Sequence, residues 1–179
     1  INPHFLYNTL NIVNLMALED VNDEVSKMLI SLSEMLRYTF RNRQELVTFE
    51  EEYRWIRNYI SIMQVRYEGR FEPCYEVEEN VMERKLPKLL LQPLVENSII
   101  HGFKGRESGG IVTRSASVRK ERRVIVVRDN GRGMDPRELE AAMHGDHSRI
   151  GLGNAVRRLQ LIYGGEGSLE VETCPGEGT

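Results

Sequence analysis

The sequence predicts an α+β protein in which a helical hairpin precedes an α/β sandwich, and three observations carry that prediction. Apolar residues recur at helical spacing through two segments between Phe5 and Leu36, joined by the short polar link Asp20-Val21-Asn22-Asp23. From Thr48 onward, helix-like segments interleave with neighbouring strand-like runs, the pattern of one mixed sheet covered by helices. Glycine clusters at 131–133 and 151–153 punctuate that second part without any internal repeat.

Phe5 to Asp20 reads as helix, with Leu6, Leu10, Val13 and Ala17 on one stripe. Val25, Met28, Leu29, Leu32, Met35 and Leu36 repeat the pattern in a second helix. Two such helices cannot bury both faces alone, so pairing with a second copy into a four-helix bundle is the economical solution. A third helix opens at Thr48, where Thr48-Phe49-Glu50-Glu51 has capping-box form. Tyr53, Ile56, Tyr59, Ile60 and Met63 supply its apolar face, and Gly69 ends it. Phe71, Tyr75 and Val77 are spaced like a strand, and Pro73 assigns that strand to a sheet edge. Pro87 introduces a helix to about Phe103, followed by strand-like runs at Ile111 to Val118 and Arg123 to Asp129. A helix from Pro136 to Met143, a flexible segment, a helix from Asn154 to Tyr163 and a strand over Ser168 to Thr173 complete the chain.

With 179 residues, 40% hydrophobic and 28% charged, the chain has the balance of a globular protein with a real core. A net charge of −3 argues against an electrostatic nucleic-acid binder, and the basic runs near residues 37–43 and 119–123 read as solvated faces. Cys74 and Cys174 form no paired motif, which points to a reducing compartment and away from a disulfide or zinc framework. No apolar run reaches the roughly 18 residues of a membrane-spanning helix. Ile1 is not an initiator methionine, and both ends read as cut from a longer protein.

Three segments carry chemistry. In Leu89 to Gly102, Glu96 and Asn97 stand side by side in a mostly apolar helix, with His101 one turn on. An amide oxygen suits Mg²⁺ that also carries phosphate oxygens and water, while the plainer reading puts both residues on the solvent side of the helix. Asp129-Asn130-Gly131-Arg132-Gly133-Met134 follows an apolar run. A carboxylate at that strand end can accept from an adenine amino group, and the glycines let backbone pass close to a ligand; a plain Asp-Asn-Gly turn is the alternative. Ile150-Gly151-Leu152-Gly153-Asn154 opens a helix whose N-terminus can face phosphate.

Taken together, these segments resemble the N, G1 and G2 boxes of the GHKL (Bergerat-type) ATP-binding superfamily, which includes histidine kinases, DNA gyrase B, Hsp90 and MutL. Asn2-Pro3-His4-Phe5-Leu6-Tyr7-Asn8-Thr9-Leu10 and Pro93-Leu94-Val95-Glu96-Asn97 resemble the phospho-acceptor motif and N box of the LytS/YesM-type bacterial sensor histidine kinases. The resemblance implies a Bergerat α/β sandwich over residues 47–179 and a dimerisation and phospho-acceptor segment over residues 1–46. By the same resemblance, His4 is the autophosphorylation site, Asn97 the Mg²⁺ ligand and Asp129 the adenine reader. It makes Gly131, Gly133, Gly151, Leu152, Gly153 and Asn154 parts of the ATP loops, and brings the Thr179 hydroxyl towards the adenine.

Asn8 lies one turn from His4 and can orient its ring, and Glu96 is the candidate base. His101, Lys104 and the Arg157-Arg158 pair are candidates for meeting phosphate charge. The chain departs from the family pattern in four places. Phe5 replaces the acidic residue that often follows the histidine. Pro93 stands where the superfamily's ATPases place a water-activating glutamate, which favours attack by a protein nucleophile over hydrolysis. Ile100 stands where a basic residue is frequent, and Arg149 where a glycine is. The sequence His144-Gly145-Asp146-His147 could ligate a metal, although a polar ATP lid explains it equally well. The expected activity is ATP- and Mg²⁺-dependent phosphorylation of His4 and transfer to a response-regulator aspartate, with the segment near Gln44 to Thr48 as hinge. The expected setting is a homodimer, the cytoplasmic part of a cell-membrane sensor, reaching the membrane only through an upstream region. The rival is a GHKL nucleotide-binding signalling module without kinase activity.

Overall fold

The computed structural model describes residues 3–19, 22–40, 45–120, 122–144 and 150–179. Helices α1 (Pro3–Leu18) and α2 (Asn22–Phe40) form the expected hairpin. The buried face of α1 is Phe5, Thr9 and Met16, whereas Leu10 and Ala17 of the predicted stripe lie outside. Phe5 decides this rotation: its ring stacks on Tyr59 of the next helix, centroids 5.4 Å apart. An aromatic ring buries more area than the leucine beside it. Thr9 can follow it inward because its hydroxyl donates to the Phe5 carbonyl at 2.8 Å. On α2, Met28, Leu32 and Met35 are buried, while Leu29 of the predicted face is exposed.

Strand β1 (Leu46–Thr48) pairs antiparallel with β3 (Lys85–Pro87). The expected hinge is therefore pinned over Leu46–Thr48, and Gln44 lies outside the described residues. Helix α3 (Phe49–Arg66) starts with the predicted capping box, Thr48 and Glu51 each satisfying the other's backbone N–H. It buries Trp55, Ile56, Tyr59, Ile60, Ile62 and Met63, more than one stripe, because the hairpin covers one side and the sheet the other. Gly69, at φ +71°, closes the helix by donating to the Gln64 carbonyl at 3.0 Å.

Strand β2 (Phe71–Val77) lies parallel to β4 (Gly110–Arg119), which forms an antiparallel hairpin with β5 (Arg122–Asp129). The order β2-β4-β5 makes β2 an edge, as Pro73 predicts. Pro87 closes β3 instead of opening a helix. A turn over residues 88–91 intervenes, with Leu89 at φ +59°, before α4 (Gln92–Glu96), which continues as a π-helix over Asn97–Gly102. Helices α5 (Pro136–His144) and α6 (Ile150–Tyr163) follow, α6 starting earlier than predicted. The expected strand over Ser168 to Thr173 is irregular backbone. Its alternating Leu169 and Val171 are used to cover Met134, Ala142 and Leu152, so the strand-like pattern serves packing and no ladder. Among the described residues one main core runs from Phe5 and Met35 through α3 to Val95, Val112 and Ala116. No helix among them is long and apolar enough to cross a membrane.

Candidate nucleotide and phospho-acceptor site

The site begins at the last residue of β5. Asp129 is 3% exposed, held there because its N–H donates to the Thr179 carbonyl at 2.7 Å and its Oδ1 accepts from the Gly131 N–H at 2.9 Å. Its other oxygen, Oδ2, is buried without a hydrogen-bond partner among the described residues. Burial pushes this carboxyl above the ordinary carboxylate range, opposed by Ser98 and by the backbones of Gly131 and Thr179. A buried acceptor left open in this way has the valence to take an amino donor.

The glycines around it are required by space. A Cβ on Gly131 would lie 2.4 Å from the Gly102 carbonyl oxygen, and one on Gly102 would lie 3.0 Å from Asp129 Oδ1. Gly133, at φ +65°, lies so close to the chain at Cys174 that a Cβ would come within 2.0 Å of the Cys174 carbonyl oxygen. Gly102 ends the π-helix, so the widened turn brings Ser98 and Gly102 to the Asp129 carboxylate. π-Turns of this kind concentrate at functional sites. The end of the first segment, the second segment and the terminal Gly178-Thr179 therefore converge on one carboxylate. The Thr179 hydroxyl pairs with that of Thr173 at 3.1 Å, and it is the Thr179 backbone that reaches Asp129.

On the same helix, Glu96 and Asn97 are half-buried. Glu96 Oε1 accepts from Gln92 Nε2 at 2.8 Å, and burial pushes its carboxyl up, with Gln92 opposing. The Asn97 amide makes no side-chain hydrogen bond among the described residues. His101 and Lys104 are exposed at the end of the helix. The third segment is brought in through Leu152, buried against Met134 and Ala142, and through Gly153, whose Cβ would lie 2.9 Å from the Met143 carbonyl oxygen. Gly151 and Gly153 sit inside the first turns of α6, not ahead of it, and Asn154 is exposed. The positive charge of Arg158 is felt by the buried pair Glu52 and Tyr38. Arg149, Gly145, Asp146 and His147 lie outside the described residues. Among the described ones, no three His, Cys, Asp or Glu side chains cluster as a metal site.

His4 is exposed on α1, with Asn8 Nδ2 at 3.1 Å from its Nε2 and 3.3 Å from its Nδ1. The neighbouring Phe5 stacks on Tyr59, and the negative charge of Glu96 is felt by the Tyr59 phenol. The stacking ties the histidine's helix to α3. It also explains the missing acidic residue: position 5 is a packing position.

Residues 82–179 match the model of the histidine kinase-, DNA gyrase B- and HSP90-like ATPases, and residues 1–71 match a histidine kinase model. The chain belongs to this ATPase family. Several similar curated proteins are sensor kinases. It is 36% identical to the sensor histidine kinase YesM of Bacillus subtilis over 179 residues, covering 100% of this chain and 30% of that protein. It is 36% identical to the sensor histidine kinase YpdA of Escherichia coli over 167 residues, covering 92% of this chain and 29% of that one. It is 29% identical to the sensor protein LytS of Staphylococcus epidermidis over 179 residues, covering 97% of this chain and 30% of that one. The chain thus spans less than a third of the length of these relatives. Membership in the ATPase family supports ATP as ligand.

For a member of this family, several residues of the site carry no strong sequence signal. Gly102 and Ser98 lie within the N-box helix but read there as filler. Asn130, beside Asp129, clamps the start of β4: its Oδ1 accepts from the Ile111 N–H at 2.7 Å and its Nδ2 donates to the Gly109 carbonyl at 3.0 Å. Arg132 ties the G1 turn to α5 through Glu138 at 2.9 Å and to the π-helix through the His101 carbonyl at 3.3 Å.

Proposed function

We propose that the chain is the catalytic region of a two-component sensor histidine kinase, binding ATP at Asp129 and phosphorylating His4. The buried Asp129 Oδ2, without a hydrogen-bond partner among the described residues and set inside a cradle that tolerates no extra methyl, carries this reading. An adenine amino group supplies the donor which that oxygen lacks. Residues 1–46 serve as dimerisation and phospho-acceptor segment, and residues 47–179 as nucleotide domain. Gly131, Gly133, Gly151, Leu152, Gly153, Asn154 and Thr179 shape the nucleotide pocket, and His101 and Lys104 meet phosphate charge.

Mg²⁺ suits the residues present. The Asn97 amide makes no side-chain hydrogen bond among the described residues, and an amide oxygen suits an ion that draws most of its shell from phosphate oxygens and water. Asn97 would hold it, and it would neutralise charge on the transferred group. In the transfer, the lone pair of the unprotonated His4 nitrogen forms the N–P bond as the γ-phosphorus–oxygen bond to ADP breaks. Asn8 orients the ring, and Glu96, its carboxyl raised by burial, accepts the imidazole proton.

The exposed apolar residues Tyr7, Leu10, Leu15, Leu18, Leu29, Ile30 and Phe40 give the hairpin a surface suited to a second copy. The onward acceptor is a response-regulator aspartate, and the membrane is reached through the upstream part of the parent protein.

The test is incubation with γ-labelled ATP and Mg²⁺, then mapping of the acid-labile label. His4→Gln should abolish incorporation while ATP affinity stays within about twofold, since His4 belongs to the hairpin and takes no part in the Asp129 cradle. Undiminished labelling of that variant refutes the assignment of His4. ATP binding without any label in the unaltered chain leaves only a nucleotide-controlled association module.

A further inference from the structure

A buried carboxylate outside the nucleotide site connects three elements. Glu52, on α3, is fully buried, and both of its oxygens are used as acceptors. Oε2 accepts from the Tyr38 hydroxyl of α2 at 2.6 Å and from the Leu89 N–H at 2.8 Å. Oε1 accepts from the Leu91 N–H at 3.0 Å. Leu89 and Leu91 belong to the turn that launches the helix of Glu96 and Asn97, and Leu89 has φ +59°, a conformation a leucine rarely adopts. A non-glycine residue stays in that region only where its surroundings hold it. The same turn is tied to α2 a second time, by Lys88 Nζ donating to the Thr39 carbonyl at 3.1 Å.

Hydrophobic packing alone would not need an ionisable group here. A carboxylate that accepts from three donors on two different elements acts directionally, fixing the distance between the end of α2 and the start of the nucleotide helix. We propose that Glu52 is a positioning residue that sets the phospho-acceptor hairpin, through Tyr38, in register with the helix bearing Glu96 and Asn97. A shift of α2 thereby reaches the nucleotide site as a shift of the Leu89–Leu91 backbone. This rests on the kinase reading above and adds to it the route by which the hairpin controls transfer.

Two substitutions separate the arms of the contact. Tyr38→Phe removes the tie to α2 but leaves Glu52 on the Leu89 and Leu91 amides. Its rate of His4 phosphorylation at saturating ATP should fall by roughly tenfold or more while ATP affinity stays within about twofold, the scale of one hydrogen bond to a charged acceptor. Glu52→Gln puts an amide donor against a backbone N–H in either orientation of the side chain. It should weaken ATP binding as well as the saturated rate, and speed hydrogen exchange at Leu89 and Leu91. Asn58→Ala is the control, because Asn58 Nδ2 joins the same two helices through Glu34 Oε2 at 2.8 Å, on the exposed side. It should leave rate and affinity unchanged.

A Tyr38→Phe variant that melts earlier but transfers at the normal saturated rate overturns the proposal, and so does an equal loss of rate in Asn58→Ala. If Tyr38→Phe does not fold, the decision passes to Glu52→Gln: normal transfer or unchanged exchange at Leu89 and Leu91 overturns the proposal. Absence of label in the unaltered chain is a failure of the kinase reading instead. The exchange measurement, which needs no turnover, then still decides whether Glu52 holds the turn.

Discussion

The surround of Asp129 and the His4 face of α1 are built on opposite principles. Around Asp129 the backbone is packed to contact: four glycines, at 102, 131, 133 and 178, sit where a methyl would strike backbone or the carboxylate itself. Around His4 there is open surface, with Asn8 beside the ring one helical turn away. A pocket that binds a rigid base gains by being formed in advance, since ordering costs at binding are then small. The proposed phospho-acceptor, which would take a phosphoryl group at one site and give it up at another, needs access instead. The two regions should therefore answer substitution differently: damage to the first appears in folding and binding, and damage to the second in chemistry alone.

The hardest test of that contrast is Gly131→Ala. Its methyl would sit 2.4 Å from the Gly102 carbonyl oxygen and 2.7 Å from Asp129 Oδ1, both parts of the main scaffold. A loss of about 3 kcal/mol or more in denaturant-measured stability is expected, together with loss of ATP binding. Normal stability and affinity in that variant would break the picture of a space-limited cradle. Asp129→Asn should act more narrowly, weakening ATP by roughly 10- to 100-fold with little change in melting temperature.

The same carboxyl supplies a pH signature. Its folded pKa is raised by burial, so the folded chain keeps that proton to higher pH than the unfolded chain does. This group's contribution to stability declines as pH rises from the ordinary carboxyl value, about 4, towards the raised folded value. An adenine amino donor favours the ionised form, so ATP binding should release a proton and tighten as pH rises through that window. Calorimetry in buffers of different ionisation enthalpy measures the release, and proton uptake would contradict the role of Asp129. The smallest effect is expected at the start of α3. Thr48→Ala removes one half of the capping box of α3 and should cost about 1 kcal/mol without altering nucleotide affinity. A change in affinity there would mean that the cap, as well as Glu52, helps to hold the turn before the helix of Glu96 and Asn97.

The crowding of glycines around Asp129 was legible in the sequence because glycines and an aspartate at a strand end are conspicuous against an apolar run. The capping box, the edge strand with Pro73 and the β4-β5 hairpin were legible for the same reason: each has a local chemical marker. The rest depended on distant partners. The face of α1 is set by Tyr59, far along the chain, which draws in Phe5 and leaves Leu10 outside. The start of the nucleotide helix is delayed past Pro87 by a turn that Glu52 holds, and a glutamate in a helix reads by itself as a solvated residue. Ser168 to Thr173 alternates like a strand, yet its apolar residues find a helical surface to cover. Periodicity reports which residues want burial and not against what.

Pro73 has one more consequence, for how copies of this protein can meet. It sits in the middle of β2, whose one pairing partner among the described residues is β4, and its neighbours Glu72 and Glu76 are exposed and negatively charged. A strand arriving from another molecule would find a hydrogen-bond donor missing at the centre of that edge and like charges flanking it. Sheet-to-sheet zippering along β2, the route by which open edges seed aggregates, is thereby closed. That leaves the helical faces, where Tyr7, Leu10, Leu15 and Leu18 of α1 are exposed.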